Sequence, residues 1–443
     1  MFFGDLVEPS FQSYQKRRNE LVQIIKKNNP EVKNGLVLFF ASFENPNVSF
    51  RQESSFYYFS GIEESGVVIA IDMEGKSTLF VPNCVQERKR WMGSAIEPTE
   101  QDAKQFCFEN IALLGQPIKG IQLYPYFDKN SYENILQVIS DCLSNDGKLF
   151  VLNPNNTHQY GDQRFVLKRM QSFVPALRDE HVKDISDIVA QMRRKKDIFE
   201  IGKISEAINV TALAHDSVAR TIEDGALESE VQAAAEYVLT SVCAKTAYPS
   251  IVASGSNGTI LHYHKNCSAM NKGDLVIVDV GAKFDHYCAD ITRTYPVSGS
   301  FTERQKELYS IVLEAQAYIA SLAKPGYFLN NSDQQDKSLT HLARVFLNKK
   351  GGYDACFTHG IGHYLGLDVH DVGSLKEPLE EGDVITIEPG LYLPDEGIGI
   401  RIEDNYWIKM DKAICLSDMI PKEADQIIQF MKFGLQDSDQ IES

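Results

Sequence analysis

Residues 275–297 read LVIVDVGAKFDHYCADITRTYPV, and the rest of the chain is best read outward from them. The segment divides into two apolar runs with strand composition, each interrupted by a carboxylate: Asp279 in the first and Asp290 in the second. Val276, Ile277, Val278 and Val280 mark the first run as a core strand, which sets Asp279 near buried surface. A buried carboxylate is costly unless it is paired or bound to a cation. If the chain reverses near Phe284 and Asp285, the two aspartates are symmetric about the turn. The pattern then predicts that they stand opposite each other on one face of an antiparallel pair. Like charges so placed repel, and a metal ion between them resolves the conflict.

The same order of elements recurs. Upstream, a helix from Asp197 carries Ile201, Ile204, Ile208 and Ala212 on one face, a second helix runs from Glu228 to about Val242, and a strand covers 252–254. After Gly299, Thr302-Glu303-Arg304-Gln305 matches a capping box opening a helix with Leu308, Ile311, Val312, Ala315 and Ile319. Another helix covers about 337–348, and strands follow at 384–388 (VITIE) and 398–403 (IGIRIE). The last ~250 residues thus look like two copies of helix–helix–strand–strand, an internal duplication of pattern rather than of residue identity. Two such halves pair their strands into one curved antiparallel sheet backed by helices. Glu388 and Glu403 are symmetric about a turn near Asp395-Glu396-Gly397, so each half contributes a hairpin with two facing carboxylates. Four inward carboxylates exceed the charge of one divalent ion; two ions fit better. Between the hairpins, HGIGHYLGLDVHD offers His359, His363 and His370 as ligands or hydrogen-bonding groups.

The chain before this region alternates strand and helix patterns and reads as a separate α/β domain. A helix covers about 10–27 with Leu21, Ile24 and Ile25 inward, a strand 35–42, a hairpin 66–82, helices 100–108 and 132–143, and strands 121–124 and 148–152. The cluster Phe50, Phe56, Tyr57, Tyr58 and Phe59 reads as core or interface. The charged stretch 178–196 is the expected connection, helical throughout, with the domains at 1–178 and 179–443. Apolar residues make up 43% of the 443 and charged residues 24%, as in ordinary globular protein. A net charge of −17 argues against non-specific binding to nucleic acid or anionic membrane. No apolar run reaches the ~18 residues of a membrane span, and the first twenty residues lack the order of a secretory signal. The eight cysteines include no C-x-x-C pair, which suits reduced thiols in the cytoplasm.

The runs VDVG…DITRT, HGIGHYLGLDVHDVG, TIEPGLY and GIRIEDN, in that order over 260–405, resemble the pita-bread dinuclear metallopeptidases. Within these the aminopeptidase P group is the nearest likeness and prolidase the next. RQESSFYYFSG and the GVVIAI hairpin resemble that group's amino-terminal domain, which serves oligomerisation and active-site shielding. The resemblance implies that Asp279 ligates one ion, that Asp290 and Glu403 bridge two, and that His363 and Glu388 hold the second. His262 matches a substrate-contacting histidine, and His359 and His370 match two more. Arg401 matches an arginine that orients a ligand carboxylate, and Trp91 a residue that reaches a neighbouring subunit's site.

The implied reaction is hydrolysis of the Xaa-Pro bond at a peptide's N-terminus by a hydroxide held between the ions, with Glu388 shuttling the proton. An oxygen-rich set with one imidazole suits manganese first, then cobalt, zinc or iron. The partners implied are peptides with proline second and further copies of the chain, as a homodimer or homotetramer. Two rivals remain. A prolidase limited to dipeptides commonly sets a basic residue between His370 and Glu388, where this chain has only Lys376. A non-catalytic pita-bread binding protein typically loses metal ligands, and all five are present.

Overall fold

The computed structural model describes residues 11–45, 47–84, 90, 96–118, 128–154 and 160–435. Trp91 and the expected strand at 121–124 lie outside them. The chain forms two compact units that divide between Arg193 and Arg194.

In the first unit, six strands form a mixed sheet in the order β4-β3-β2-β1-β5-β6. They are β1 (Gly35–Phe40), β2 (Val68–Asp72), β3 (Ser77–Val81), β4 (Asn110–Leu113), β5 (Lys148–Val151) and β6 (Val182–Asp184). Every residue of β1 after Gly35 is buried, as expected for an apolar central strand covered on both faces. The helix Ser54–Ser60 is short but strongly delimited. The Glu53 carboxylate accepts from the amides of Ser55 and Phe56, and Gly61 closes it at φ 65°. Its four aromatic residues are buried and Phe59 stacks on Phe39 at 4.6 Å, so these four are core, while Phe50 is half-buried. The stretch 178–196 is not one helix. Val182 pairs in parallel with Leu149 in β5, and only then does the helix Ser186–Arg194 begin, where Asp184 Oδ1 accepts from the Ser186 amide at 3.0 Å. The strand ties this stretch to the first unit, so the division falls after Arg193 rather than at 178.

In the second unit the duplicated order is visible. The helices Ile198–Thr221 and Glu228–Ser241 precede β7 (Lys245–Thr246), β8 (Ile251–Ser254), β9 (Leu275–Val280), β10 (Ala282–Phe284), β11 (Tyr287–Cys288) and β12 (Ile291–Pro296). The helices Glu303–Leu322 and Leu339–Lys349 precede β13 (Val384–Ile387), β14 (Gly390–Leu393), β15 (Ile398–Arg401), β16 (Asp404–Ile408) and β17 (Ala413–Cys415). The capping box at Thr302 and Gln305 is formed as its sequence predicts. Val276, Val278 and Val280 of β9 pack with Val218, Leu308, Val312, Ala343, Ile387 and Ile400 in one core between helices and strands. With period two, Ile277 and Asp279 then face the other side.

The strands form separate ladders, β11-β10-β7, β12-β9-β8, β13-β16-β17 and β14-β15, rather than one uninterrupted sheet. A seam joins the two halves. Glu403 N donates to Thr292 O at 3.1 Å, and Thr294 Oγ1 donates to Arg401 O at 2.9 Å. The strand that runs through β15 and β16 therefore leaves its hairpin partner at Glu403 and bonds across to β12.

Candidate metal centre

The two hairpins set the carboxylates by register. In the first, Phe284 pairs with Tyr287 around a two-residue turn, Asp285-His286, whose φ values of 45° and 71° match a type I′ turn. That centre lies one residue beyond the expected one, which shifts each partner by two. Asp279 therefore pairs with Thr292, and Asp290 comes opposite Gly281. The aspartates share a face as diagonal neighbours, not as direct opposites. In the second hairpin, Ile387 pairs with Asp404 and Gly390 with Arg401, which leaves Glu388 level with Glu403 as its symmetry predicts.

All nine side chains singled out in the sequence line one cavity of about 400 Å³: Asp279, Asp290, His363, Glu388, Glu403, His262, His359, His370 and Arg401. Asp279, Asp290 and Glu403 are buried, whereas His262 and His370 are exposed at the mouth. Asp290, His363 and Glu403 each place a ligand atom within 4.8 Å of the others. His363 Nε2 lies 3.3 Å from Asp290 Oδ2 and 3.8 Å from Glu388 Oε1. Its Nδ1 stands 3.0 Å from the Tyr364 carbonyl, to which it can only donate, so Nε2 is the nitrogen that would give up its proton and turn a lone pair inward to a cation. Glu403 Oε2 accepts from Thr292 Oγ1 at 2.8 Å, while Glu403 Oε1 is buried with no hydrogen-bond partner. A buried carboxylate oxygen facing other carboxylates and lacking a donor is what a cation ligand looks like in outline.

The electrostatics agree. Burial, then the negative charges of Asp290, Glu388 and Asp279, push Glu403 well above the usual carboxylate range. Glu388 is raised to about 7 by burial, and the carboxylate of Asp290 adds to the rise. Burial also raises Asp290, against the pull of its hydrogen bond to His363. Burial alone would lower His363, but the hydrogen bond and charge of Asp290, with Glu388, carry it to about 9. Carboxyls that hold protons this tightly release them to a divalent cation. The donor set therefore fits metal ions.

Four further groups that the sequence reading did not single out complete the arrangement. Tyr248 Oη lies 2.6 Å from both Asp279 Oδ1 and Asp290 Oδ1. A phenol has one hydrogen, so one of these contacts needs a proton from the carboxyl side, consistent with the raised Asp290. Arg401 Nη2 donates to Asp279 Oδ2 at 2.7 Å and Nη1 to Tyr392 Oη at 3.0 Å. Tyr392 Oη in turn lies 2.9 Å from His359 Nε2, and His359 Nδ1 lies 2.8 Å from Gly360 O. The donors run one way, from Arg401 through Tyr392 to a neutral His359, whose pKa burial and Arg401 lower to about 4. Beneath the site, buried Arg293 donates to Glu403 O at 2.8 Å and pairs with Asp404 at 2.8 Å, holding the seam. Arg293 lies three residues after Asp290 in the motif DITRT and Asp404 directly follows Glu403 in GIRIEDN; Tyr248, in AKTAYPS, carries no such signal.

Comparison with known proteins converges on one family. The profile described as metallopeptidase family M24 matches residues 202–410, and that of the aminopeptidase P N-terminal domain matches 14–112. A Xaa-Pro aminopeptidase from Haemophilus influenzae is 30% identical over 431 residues, covering 90% of this chain and 94% of its own. The mitochondrial intermediate cleaving peptidase 55 of Arabidopsis thaliana is 27% identical, over 94% and 82%. A zinc-substituted Escherichia coli aminopeptidase P in complex with product superposes with a TM-score of 0.77 at 26% identity, covering 97% of this chain and all of that one.

Proposed function

Since this chain belongs to metallopeptidase family M24, in its aminopeptidase P group, we propose that this metallo-exopeptidase removes the N-terminal residue from peptides whose second residue is proline. The observation that carries the chemistry is the buried, partnerless Glu403 Oε1 among Asp279, Asp290, His363 and Glu388 at the base of one cavity. Asp279 and Asp290 would hold one divalent ion, His363 and Glu388 the second, with Asp290 and Glu403 shared between them. Bound there, the ions supply Lewis acidity for the scissile carbonyl and lower the pKa of the attacking water. The oxygen-rich donor set with one imidazole favours manganese, with cobalt, zinc or iron as substitutes.

Glu388 takes the proton from that water and delivers it to the leaving nitrogen. The delivery matters more for proline than for other residues, because the nitrogen of a Xaa-Pro bond carries no hydrogen and is a poor leaving group unless it is protonated. Arg401 offsets the charge of Asp279 and fixes its oxygen. His262, His359 and His370 contact the substrate, His359 as a neutral imidazole in the Arg401–Tyr392 relay. Ile251, Leu261, Val369 and Leu375 give the cavity apolar walls that accept a pyrrolidine ring. Among the described residues no helix is long and apolar enough to cross a membrane. We place the enzyme in the cytoplasm as a homodimer or homotetramer, with the N-terminal unit serving assembly and shielding of the site; native mass measurement tests the assembly.

The experiment is chelation followed by manganese add-back, with cleavage of an Xaa-Pro-Yaa tripeptide, an Xaa-Pro dipeptide and an Xaa-Ala-Yaa control. Activity that vanishes on chelation, returns with manganese and prefers the proline tripeptide is expected. Full activity after exhaustive chelation would falsify the metal chemistry, and cleavage of the dipeptide alone would replace the substrate class with that of a prolidase.

A further inference from the structure

Outside the metal centre, one carboxylate is as buried as any in the site yet faces no cation within hydrogen-bonding distance. Glu228, the first residue of the helix Glu228–Ser241, has no exposed surface. Its Oε1 accepts from Ser254 N and Ser254 Oγ at 2.8 Å each and from Asn257 Nδ2 at 3.0 Å. Its Oε2 accepts from Tyr263 Oη at 2.8 Å and from Ser268 N at 2.9 Å. All five donors are neutral, and all belong to residues 254–268. These hydrogen bonds, helped by the helix N-terminus, hold the acid below the usual carboxylate range although burial pushes it up. An unpaired buried charge is tolerated only when its solvation shell is rebuilt in full by the protein. Here that shell is a single loop, so the loop's path is fixed by the charge it solvates.

The loop is the one that carries His262. Tyr263 turns inward to Glu228 and is buried, while its neighbours His262 and His264 are exposed and line the cavity. The two imidazoles flank that anchor in sequence and lie nearly parallel with ring centroids 6.1 Å apart, so the inward tyrosine between them sets where both stand. The same loop is held from its other end by β15. A Cβ on Gly399 would come 1.9 Å from the carbonyl oxygen of Gly258, so the two backbones touch there and the loop has no room to drift.

We propose that Glu228 is a positioning residue of the peptidase: its carboxylate fixes the loop 254–268 and so places the His262 imidazole at the mouth of the cavity, where it engages the substrate. The assignment rests on the reading of function given above. It assigns Glu228 no contact with substrate or metal.

A double-mutant cycle tests it. Glu228→Gln replaces one acceptor oxygen with an amide that faces donors, and is expected to lower kcat/KM for an Xaa-Pro-Yaa peptide roughly tenfold or more, chiefly through KM. Bound metal should stay at the wild-type level. In a His262→Ala background the same change should cost less than about twofold, because the residue through which it acts is gone. Equal costs in the two backgrounds, or a loss of bound metal, would overturn the assignment. If Glu228→Gln does not fold, Tyr263→Phe removes a single donor and carries the same cycle. Hydrogen exchange reads the loop without substrate: the Ser254 and Ser268 amides should exchange faster in either variant. An unchanged exchange rate refutes the anchor. Inactivity of the wild type itself would instead strike the function proposed above.

Discussion

In the proposed reaction Glu388 combines two demands that pull its pKa in opposite directions. As a ligand it must be ionised, and as a proton carrier it must take up a proton during turnover. Burial and the neighbouring carboxylates raise it to about 7, near the range in which a group can do both. Its backbone amide donates to Ile361 O at 2.9 Å, a bond that does not depend on the side chain. Glu388→Ala should therefore fold and lower kcat by a factor of roughly 10²–10⁴. It also removes a charge from a repulsive cluster, so after chelation the variant should melt no lower than the wild type; kinetics and a thermal melt read the two effects. Residues of this kind were legible because a carboxylate inside an apolar strand is rare and expensive. Tyr248 and Tyr392 were not, since a tyrosine that packs and one that hydrogen-bonds the polar side chains of a site look alike until the hydroxyl's neighbours are known.

The hairpins, as elements, carry the spacing of the charges. The symmetry of Glu388 and Glu403 survived intact because their turn is built from Pro394–Glu396 and Gly397 at φ 63°, where the sequence placed it. The first hairpin turned one residue late, because Asp285 and His286 both adopt left-handed backbone that the apolar pattern of the strands does not encode. That single step converts a direct Asp279–Asp290 pair into a diagonal one and sets Gly281 opposite Asp290. No side chain fits there: a Cβ on Gly281 would meet Ala289 O at 2.0 Å and the Tyr248 ring at 2.8 Å. Gly281→Ala should accordingly part the strands between the two aspartates, cost about 1–3 kcal/mol or somewhat more, and weaken metal retention. Urea unfolding and the metal content of purified protein measure these. Wild-type values for both would show that the close approach has no hold on the site.

For the whole molecule, the two-unit division and the duplicated second unit were legible from the alternation of periods, whereas the seam between the halves was not. Strand pairing across more than a hundred residues leaves no local signature. Its stability does carry a measurable one. His215 is fully buried, 2.9 Å from Tyr295 Oη and 3.2 Å from Ile291 O, and burial with the Arg293 charge lowers its pKa to about 3. The unfolded chain takes up that proton near pH 6.5, long before the folded one. The neutral histidine's contribution is thus whole above about pH 6.5 and is lost as pH falls towards 3, at up to about 1.4 kcal/mol per unit. His215→Gln should flatten the dependence of the urea midpoint on pH between 6.5 and 4.5; an unchanged slope would assign the acid sensitivity to other groups. The seam itself bears on how the chain is made. Thr292 waits for Glu403, 111 residues later, before the open edge of β12 is bonded. At about 5–20 residues per second, the nascent chain carries that exposed edge for roughly 5–20 seconds. The interval in which the growing polypeptide is most open to pairing with the wrong strand is set by how far downstream the second hairpin is encoded.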